Sequence, residues 1–196
     1  MNDQKIQITA EPQSRPDQCL FRFDRTLYSG TFYTSDSEWS QEWAPFAAAV
    51  FATEGIKGLR IRNSELLVTL CEKPDDWRDM ARAVGSSARD FLDEGGEIIK
   101  NGAFEAQMGD DLIRQKAQDV VDTKLNPGLA GHGGFVEIVD SDGKDLYLNM
   151  GGGCQGCSSA SATMNQGVEV AIRDSVPEVG RIIDATNHAI GANPYM

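Results

Sequence analysis

The run Gly151-Gly152-Gly153-Cys154-Gln155-Gly156-Cys157 stands between two segments of opposite periodicity, and that placement constrains the chain more than any other feature. Before it, Leu146, Leu148 and Met150 alternate with Asp145, Tyr147 and Asn149, the two-residue period of a half-buried strand. After it, Ala160, Met164, Val168 and Ala171 or Ile172 recur at helical spacing until Val176-Pro177. The chain is therefore expected to pass from strand to helix through a glycine-rich turn that carries two thiols. Glycines let the backbone fold tightly and aim successive N–H groups at one point beside the positive end of the following helix, which favours thiolates. A thiolate is both a nucleophile and a metal ligand, so this C-x-x-C suits either redox exchange or metal ligation.

The segments upstream complete a small α/β arrangement. Phe135 to Val139 reads as a strand and Ser141-Asp142-Gly143 as a turn, so the strand before the glycines closes a hairpin. Asp110 or Asp111 is expected to cap a helix with Ile113, Ala117, Val120, Val121 and Leu125 on one side, stopped by Asn126-Pro127. Gly180 to Asp184 adds one short strand. Nearer the start, Ile6 and Ile8 alternate with polar neighbours, and Leu20 to Phe23 follows a Pro-punctuated turn, so both read as strands. Glu42 to Thr53 reads as a helix with Pro45 in its first turn, followed by strand, turn and strand over Leu59–Ile61, Asn63-Ser64 and Leu66–Leu70. Trp77, Met80, Val84, Ala88 and Phe91 form one helical stripe. Between the halves the pattern loses its period among Gly95, Gly96, Gly102 and Gly109. The expected fold class is α+β: two small α/β domains, 1–95 and 111–196, each a small sheet packed on helices, joined by a flexible linker at 96–110.

Of the 196 residues, 40% are hydrophobic and 24% charged, an ordinary globular balance. The longest apolar run, Ala44 to Ala52, contains Pro45 and falls well short of the roughly 20 residues that cross a bilayer, so no membrane partner is expected. Net charge is −12 and both halves are acidic, which argues against nucleic acid as a partner. The opening Met1-Asn2-Asp3-Gln4-Lys5 has neither the apolar core of a secretory signal nor the Arg/Ser richness of a transit peptide, and the expected compartment is the cytoplasm. Four cysteines are too sparse for a secreted disulfide scaffold.

The metal reading meets a shortage of ligands. Iron–sulfur clusters usually take four cysteine thiolates and structural zinc takes four Cys or His ligands, yet the motif offers two. Cys19 and Cys71 lie across the linker at no motif spacing and read as buried, reduced and inert. His132, in Gly131-His132-Gly133-Gly134, and His188 read as turn or surface residues. A two-fold axis beside the motif would bring Cys154 and Cys157 of two chains to one site, for a cluster or for shared zinc. A monomeric thiol–disulfide oxidoreductase needs only the two cysteines and is the alternative. No Ser-His-Asp set, paired-carboxylate motif or phosphate loop supports hydrolysis or phosphoryl transfer, so an enzyme is not expected. Trp39 and Trp43, four apart near a helix start, suggest an exposed face for a partner, whereas Trp77 reads as core.

From about Ile113 to Tyr195 the sequence resembles the C-terminal module of the Nfu (NifU-like) iron–sulfur scaffold and carrier proteins. The resemblance rests on Leu125-Asn126-Pro127, Leu129-Ala130-Gly131-His132-Gly133-Gly134, Gly152-Gly153-Cys154-Gln155-Gly156-Cys157-Ser158, Thr163, Val176-Pro177-Glu178-Val179 and Asn193-Pro194-Tyr195. It implies that Cys154 and Cys157 are the ligands of a 4Fe-4S cluster held between two chains as a homodimer. It further implies that the cluster comes from upstream assembly machinery and passes to apo iron–sulfur proteins. Roughly Ile6 to Phe91 is similar to the Nfu N-terminal domain, through Glu11-Pro12, Phe21-Arg22-Phe23, Ala44-Pro45-Phe46-Ala47, Val50-Phe51, Gly55-Ile56-Lys57-Gly58, Val68-Thr69-Leu70 and Asp76-Trp77. That likeness implies a part in client recognition. The family's Thr-Pro-Asn-Pro-Asn is replaced here by Pro12-Gln13-Ser14-Arg15-Pro16-Asp17-Gln18, and Ala44 stands where the family has Ser.

Overall fold

The computed structural model describes residues 5–131, 133–152 and 158–186, with side chains from 166 onward in the last of these stretches. The chain divides into two units, Met1–Gln107 and Met108–Met196, each with its own apolar core. The α+β class is what both units display. Among the described residues no helix is long and apolar enough to cross a membrane.

In the first unit, β1 (Ile8–Pro12), β2 (Gln18–Phe23), β3 (Tyr28–Thr34), β4 (Ile56–Asn63) and β5 (Glu65–Leu70) form an antiparallel sheet in the order β1-β2-β5-β4-β3. The β4–β5 hairpin turns at Asn63, whose φ of 52° is a left-handed conformation that Asn tolerates better than most residues. Alternate side chains, Cys19, Phe21 and Phe23 on β2, Leu59 and Ile61 on β4, and Leu66, Val68 and Leu70 on β5, enter one core. The helices α1 (Ser37–Trp43), α2 (Pro45–Phe51) and α3 (Trp77–Glu94) supply the rest, chiefly Phe46, Ala47, Val50, Val84 and Ala88. Two capping carboxylates set the helix starts: Asp36 accepts from Trp39 N at 2.9 Å and Asp76 accepts from Arg78 N at 2.7 Å. Pro45 opens a separate helix because it has no N–H to continue α1, and Ala44 between them is non-helical. Strand β3 and helix α1 go beyond the sequence expectation, since Tyr28-Ser29-Gly30-Thr31 carries no clean alternation.

The segment expected as a linker, 96–110, is instead mostly part of the first unit. Ile98, Ile99 and Phe104 pack on its core, and Ala103, in the one-turn α4 (Ala103–Ala106), is buried. Lys100 N donates to Trp43 O at 2.9 Å, Trp39 Nε1 to Ala106 O at 3.2 Å and Gln107 Nε2 to Tyr33 O at 2.7 Å. Trp39 lies stacked between Phe32 and Trp43, with ring centroids 6.0 and 6.5 Å away. These two tryptophans, expected as an open face, are half-buried and hold the returning chain. Glycine spacing disguised the segment: its apolar residues reach an aromatic shelf, not a helical stripe. Trp77 packs on the core as expected and donates to Pro16 O at 3.1 Å.

In the second unit, α5 (Gly109–Val120) starts at the N-cap Met108, with Asp110 and Asp111 in its first turn and not at the cap. It runs into a π-helical turn at Val121–Leu125 and then α6 (Asn126–Ala130). Pro127 was expected to stop the helix. The wider turn, with Asn126 N donating to Val121 O, resets the ladder so that Pro127 falls in a new first turn where its missing N–H costs nothing. The hairpin β6 (Gly134–Asp142) and β7 (Asp145–Gly152) pairs antiparallel, and β8 (Ile182–Asp184) lies parallel to β7 on its other side. Helix α7 (Ser158–Ser175) returns Val168 and Ile172 to a core shared with Ile113, Ala117, Val120, Val136, Ile138, Leu146 and Leu148.

Candidate functional site

Strand β7 ends at Gly152 and helix α7 begins at Ser158, so the described chain brackets the two cysteines between a strand end and a helix start. Cys154 and Cys157 themselves lie outside the described residues, as do Gly153, Gln155, Gly156, His132 and His188. Gly151 and Gly152, expected within the tight turn, are strand residues opposite Phe135 and Gly134. The need for glycine at 151 is a close approach: a Cβ there would overlap the Phe135 ring.

The strand that leads to the cysteines is fixed from both sides at one rung. Val136 is opposite Met150. On the outer edge of β6, the Asn126 carboxamide replaces a missing strand: its Oδ1 accepts from Val136 N at 2.8 Å and its Nδ2 donates to Val136 O at 3.0 Å. An edge strand otherwise leaves such groups open to pairing with another chain. On the inner side, Thr186 Oγ1 accepts from Met150 N at 2.9 Å, which prolongs the β8 pairing beyond the last strand residue. Thr186 did not stand out in the sequence, and Asn126 read as a helix stop and as part of the Leu125-Asn126-Pro127 likeness. A polar amide beside a proline gave no sign that it would act as a surrogate strand.

The far end of β7 is held by charge. Asp145 accepts from Arg181 N at 2.6 Å and from Arg181 Nε at 2.8 Å. The Arg181 backbone N–H, then its guanidinium, hold the Asp145 carboxyl below the ordinary value of 3.8. Gly180 leaves room for this, because a Cβ there would overlap the Asp145 carboxylate.

The remaining cysteines belong to the first unit. Cys19 is buried in the core, and burial pushes its thiol up to about 11. Cys71, expected to be buried, is exposed just past the end of β5, where its N–H donates to Gly55 O at 2.8 Å. Its position outside the alternation of β5 explains the difference. Among the described residues no group of three or more His, Cys, Asp or Glu side chains stands ready for a metal ion.

Residues 117–183, which include both cysteines and most of the second unit, match the family model of the NifU-like domain. That stretch is similar to the NifU-like domain. The chain is also similar to proteins named Fe/S biogenesis protein NfuA: 46% identical over 85 residues to that of Ruthia magnifica subsp. Calyptogena magnifica, covering 43% of this chain and 44% of the relative. The identity is 44% over 97 residues to that of Vesicomyosocius okutanii subsp. Calyptogena okutanii, covering 49% and 50%. It is 41% over 91 residues to that of Acinetobacter baylyi, covering 44% and 43%. Each alignment thus spans half or less of the relative's own length. The solution NMR structure of a NifU-like protein from Saccharomyces cerevisiae overlays with a TM-score of 0.44 at 16% identity, over 52% of this chain and 91% of that one. Within the matched stretch, Asn126 and the β6–β7 hairpin hold the strand that precedes the two cysteines.

Proposed function

We propose that this chain is an iron–sulfur cluster carrier that binds a 4Fe-4S cluster between two copies through Cys154 and Cys157 and passes it to apo-proteins in the cytoplasm. The observation that carries the reading is the C-x-x-C inside a NifU-like domain, bracketed by the end of a pinned strand and the start of an 18-residue helix. The names of the NfuA relatives support a role in Fe/S biogenesis. The chain's other thiols support a shared site, since Cys19 is sealed in a different core and Cys71 belongs to the other unit. Four thiolates for one cluster then come as two from each chain.

The cluster is cargo, and no covalent chemistry on a substrate is asked of the protein. Thiolates of an incoming client replace Cys154 and Cys157 stepwise, and each exchange conserves the number of Fe–S bonds. The first unit, tethered to the second, keeps the client near and raises its effective concentration. Upstream assembly machinery supplies the cluster.

Anaerobic reconstitution with iron and sulfide, coupled to the mass of the holo form, tests the reading. About four irons per two chains are expected. Cys154→Ser or Cys157→Ser is expected to abolish uptake with the fold intact, and Cys71→Ser to leave iron content unchanged. A full cluster on a monomer, or normal iron and sulfide in either of the first two variants, overturns it. Disulfide reduction by metal-free protein, lost in Cys154→Ser, would instead assign a thiol oxidoreductase.

A further inference from the structure

In the second unit Phe135 stands outside the core, 44% exposed, while its neighbours Val136 and Ile138 point inward. The ring lies across the ladder on Gly151, its partner on β7, in the space a Cβ would take. One rung nearer the cysteines, Gly134 faces Gly152, and neither residue has a side chain. The polar pins from Asn126 and Thr186 act one rung earlier, at Val136 and Met150. Over the last two rungs before Gly153, therefore, the Phe135 ring is, among the described residues, the side chain that spans the two strands.

Paired glycines give up cross-strand packing and carry the largest backbone freedom of any residue. An aromatic ring laid on a cross-strand glycine restores contact and removes freedom from the strand. We propose that Phe135 is a positioning residue for the cysteine loop: its ring clamps Gly151, fixes the direction in which β7 delivers the chain to Cys154 and Cys157, and slows release of the bound cargo. The release step rests on the carrier reading; the clamp does not. Exposure of the ring follows from the register, because Phe135 and Gly151 share the face opposite the core and the ring there covers the buried glycine.

The test uses the full chain, with and without the reconstituted cluster. Phe135→Ala is expected to speed amide exchange over residues 149–152 about two- to fivefold, the effect of losing one cross-strand pair, while Ile138 and Leu146 keep their protection. Loss of cluster to a chelator is expected to quicken by a similar factor at unchanged iron content, and Phe135→Tyr, which keeps the ring, restores both rates. Gly151→Ala displaces the ring and is expected to reproduce the phenotype with Phe135 present. The double variant is expected to be no worse than either single one, since both remove the same contact. Unchanged exchange in Phe135→Ala, or additive effects in the double variant, overturns the clamp. Unchanged release with faster exchange overturns its role in cargo retention. If the wild-type chain takes up no cluster, the carrier reading and the release step fall together, and the exchange measurements decide the clamp alone.

Discussion

The two units hold their sheets together by different means. The first uses rings: Phe23, Phe32, Phe46, Phe91, Phe104, Trp39 and Trp43 meet edge-on or stacked along one side of a five-stranded sheet. The second has, among its described residues, three strands and an aliphatic core of Ile, Leu and Val with Ala117 and Met150, and its strands are finished by polar side chains at the edges. Asn126 stands in for a fourth strand, Thr186 extends the third, and Asp145 with Arg181 ties β7 to β8. The difference teaches that a small sheet can be specified at its margins when its core is too thin to do so. Among the described residues, the last two rungs of β7 carry glycines and the Phe135 ring.

The contrast can be broken most severely in the first unit. Phe32, fully buried among Tyr28, Trp39 and Phe104, is expected to cost about 3–5 kcal/mol on truncation to Ala. Chemical denaturation with amide exchange is expected to show the loss in the first unit and across residues 98–107, while the second unit keeps its protection. If 98–107 stayed protected, that segment would not belong with the aromatic core.

In the second unit the expected loss is smaller and polar in origin. Asn126→Ala leaves the buried N–H and C=O of Val136 without partners, and about 2 kcal/mol is expected to be lost. Asn126→Asp recovers one bond only, since a carboxylate accepts from Val136 N and cannot donate to its O. Equal stability of all three forms, measured by thermal unfolding, would remove the surrogate-strand role.

The smallest effect concerns acid. Because the folded Asp145 carboxyl is held below its ordinary value of 3.8, its contribution is complete above that value and is lost as the pH falls through the lower, folded one. Asp145→Asn is therefore expected to flatten the acid limb of stability in the second unit below about pH 4, leaving the first unit's own acid response unchanged. A wild-type acid profile in the variant would show that the Arg181 contact is idle.

Much of this was legible without coordinates. Alternation before Gly151 and helical spacing after Gly156 located β7 and α7, and the Asn63-Ser64 turn located the β4–β5 hairpin. Pattern failed where contact partners were distant in sequence. The stretch from Ile98 to Gln107 has no period because each residue answers to a different part of the aromatic shelf. Pro127 misled because a proline stops an ideal α-helix, and the π turn before it moves the register. At the candidate site the thiols were evident from spacing, whereas Asn126, Phe135 and Thr186 were not, since their work is done across strands and at sheet edges.

Local chemistry alone decided where the clearest strands and helices fall, that two thiols stand three residues apart between β7 and α7, and that the chain is acidic, with a net charge of −12. Those are properties of neighbours along the chain, and neighbouring residues suffice to express them. Only the folded arrangement decided that the first unit ends at Gln107, that an asparagine completes a sheet, and that a phenylalanine stays outside its core to lie on a glycine. Each depends on two residues meeting through space, and which residues meet is settled by the cooperative packing of the whole unit.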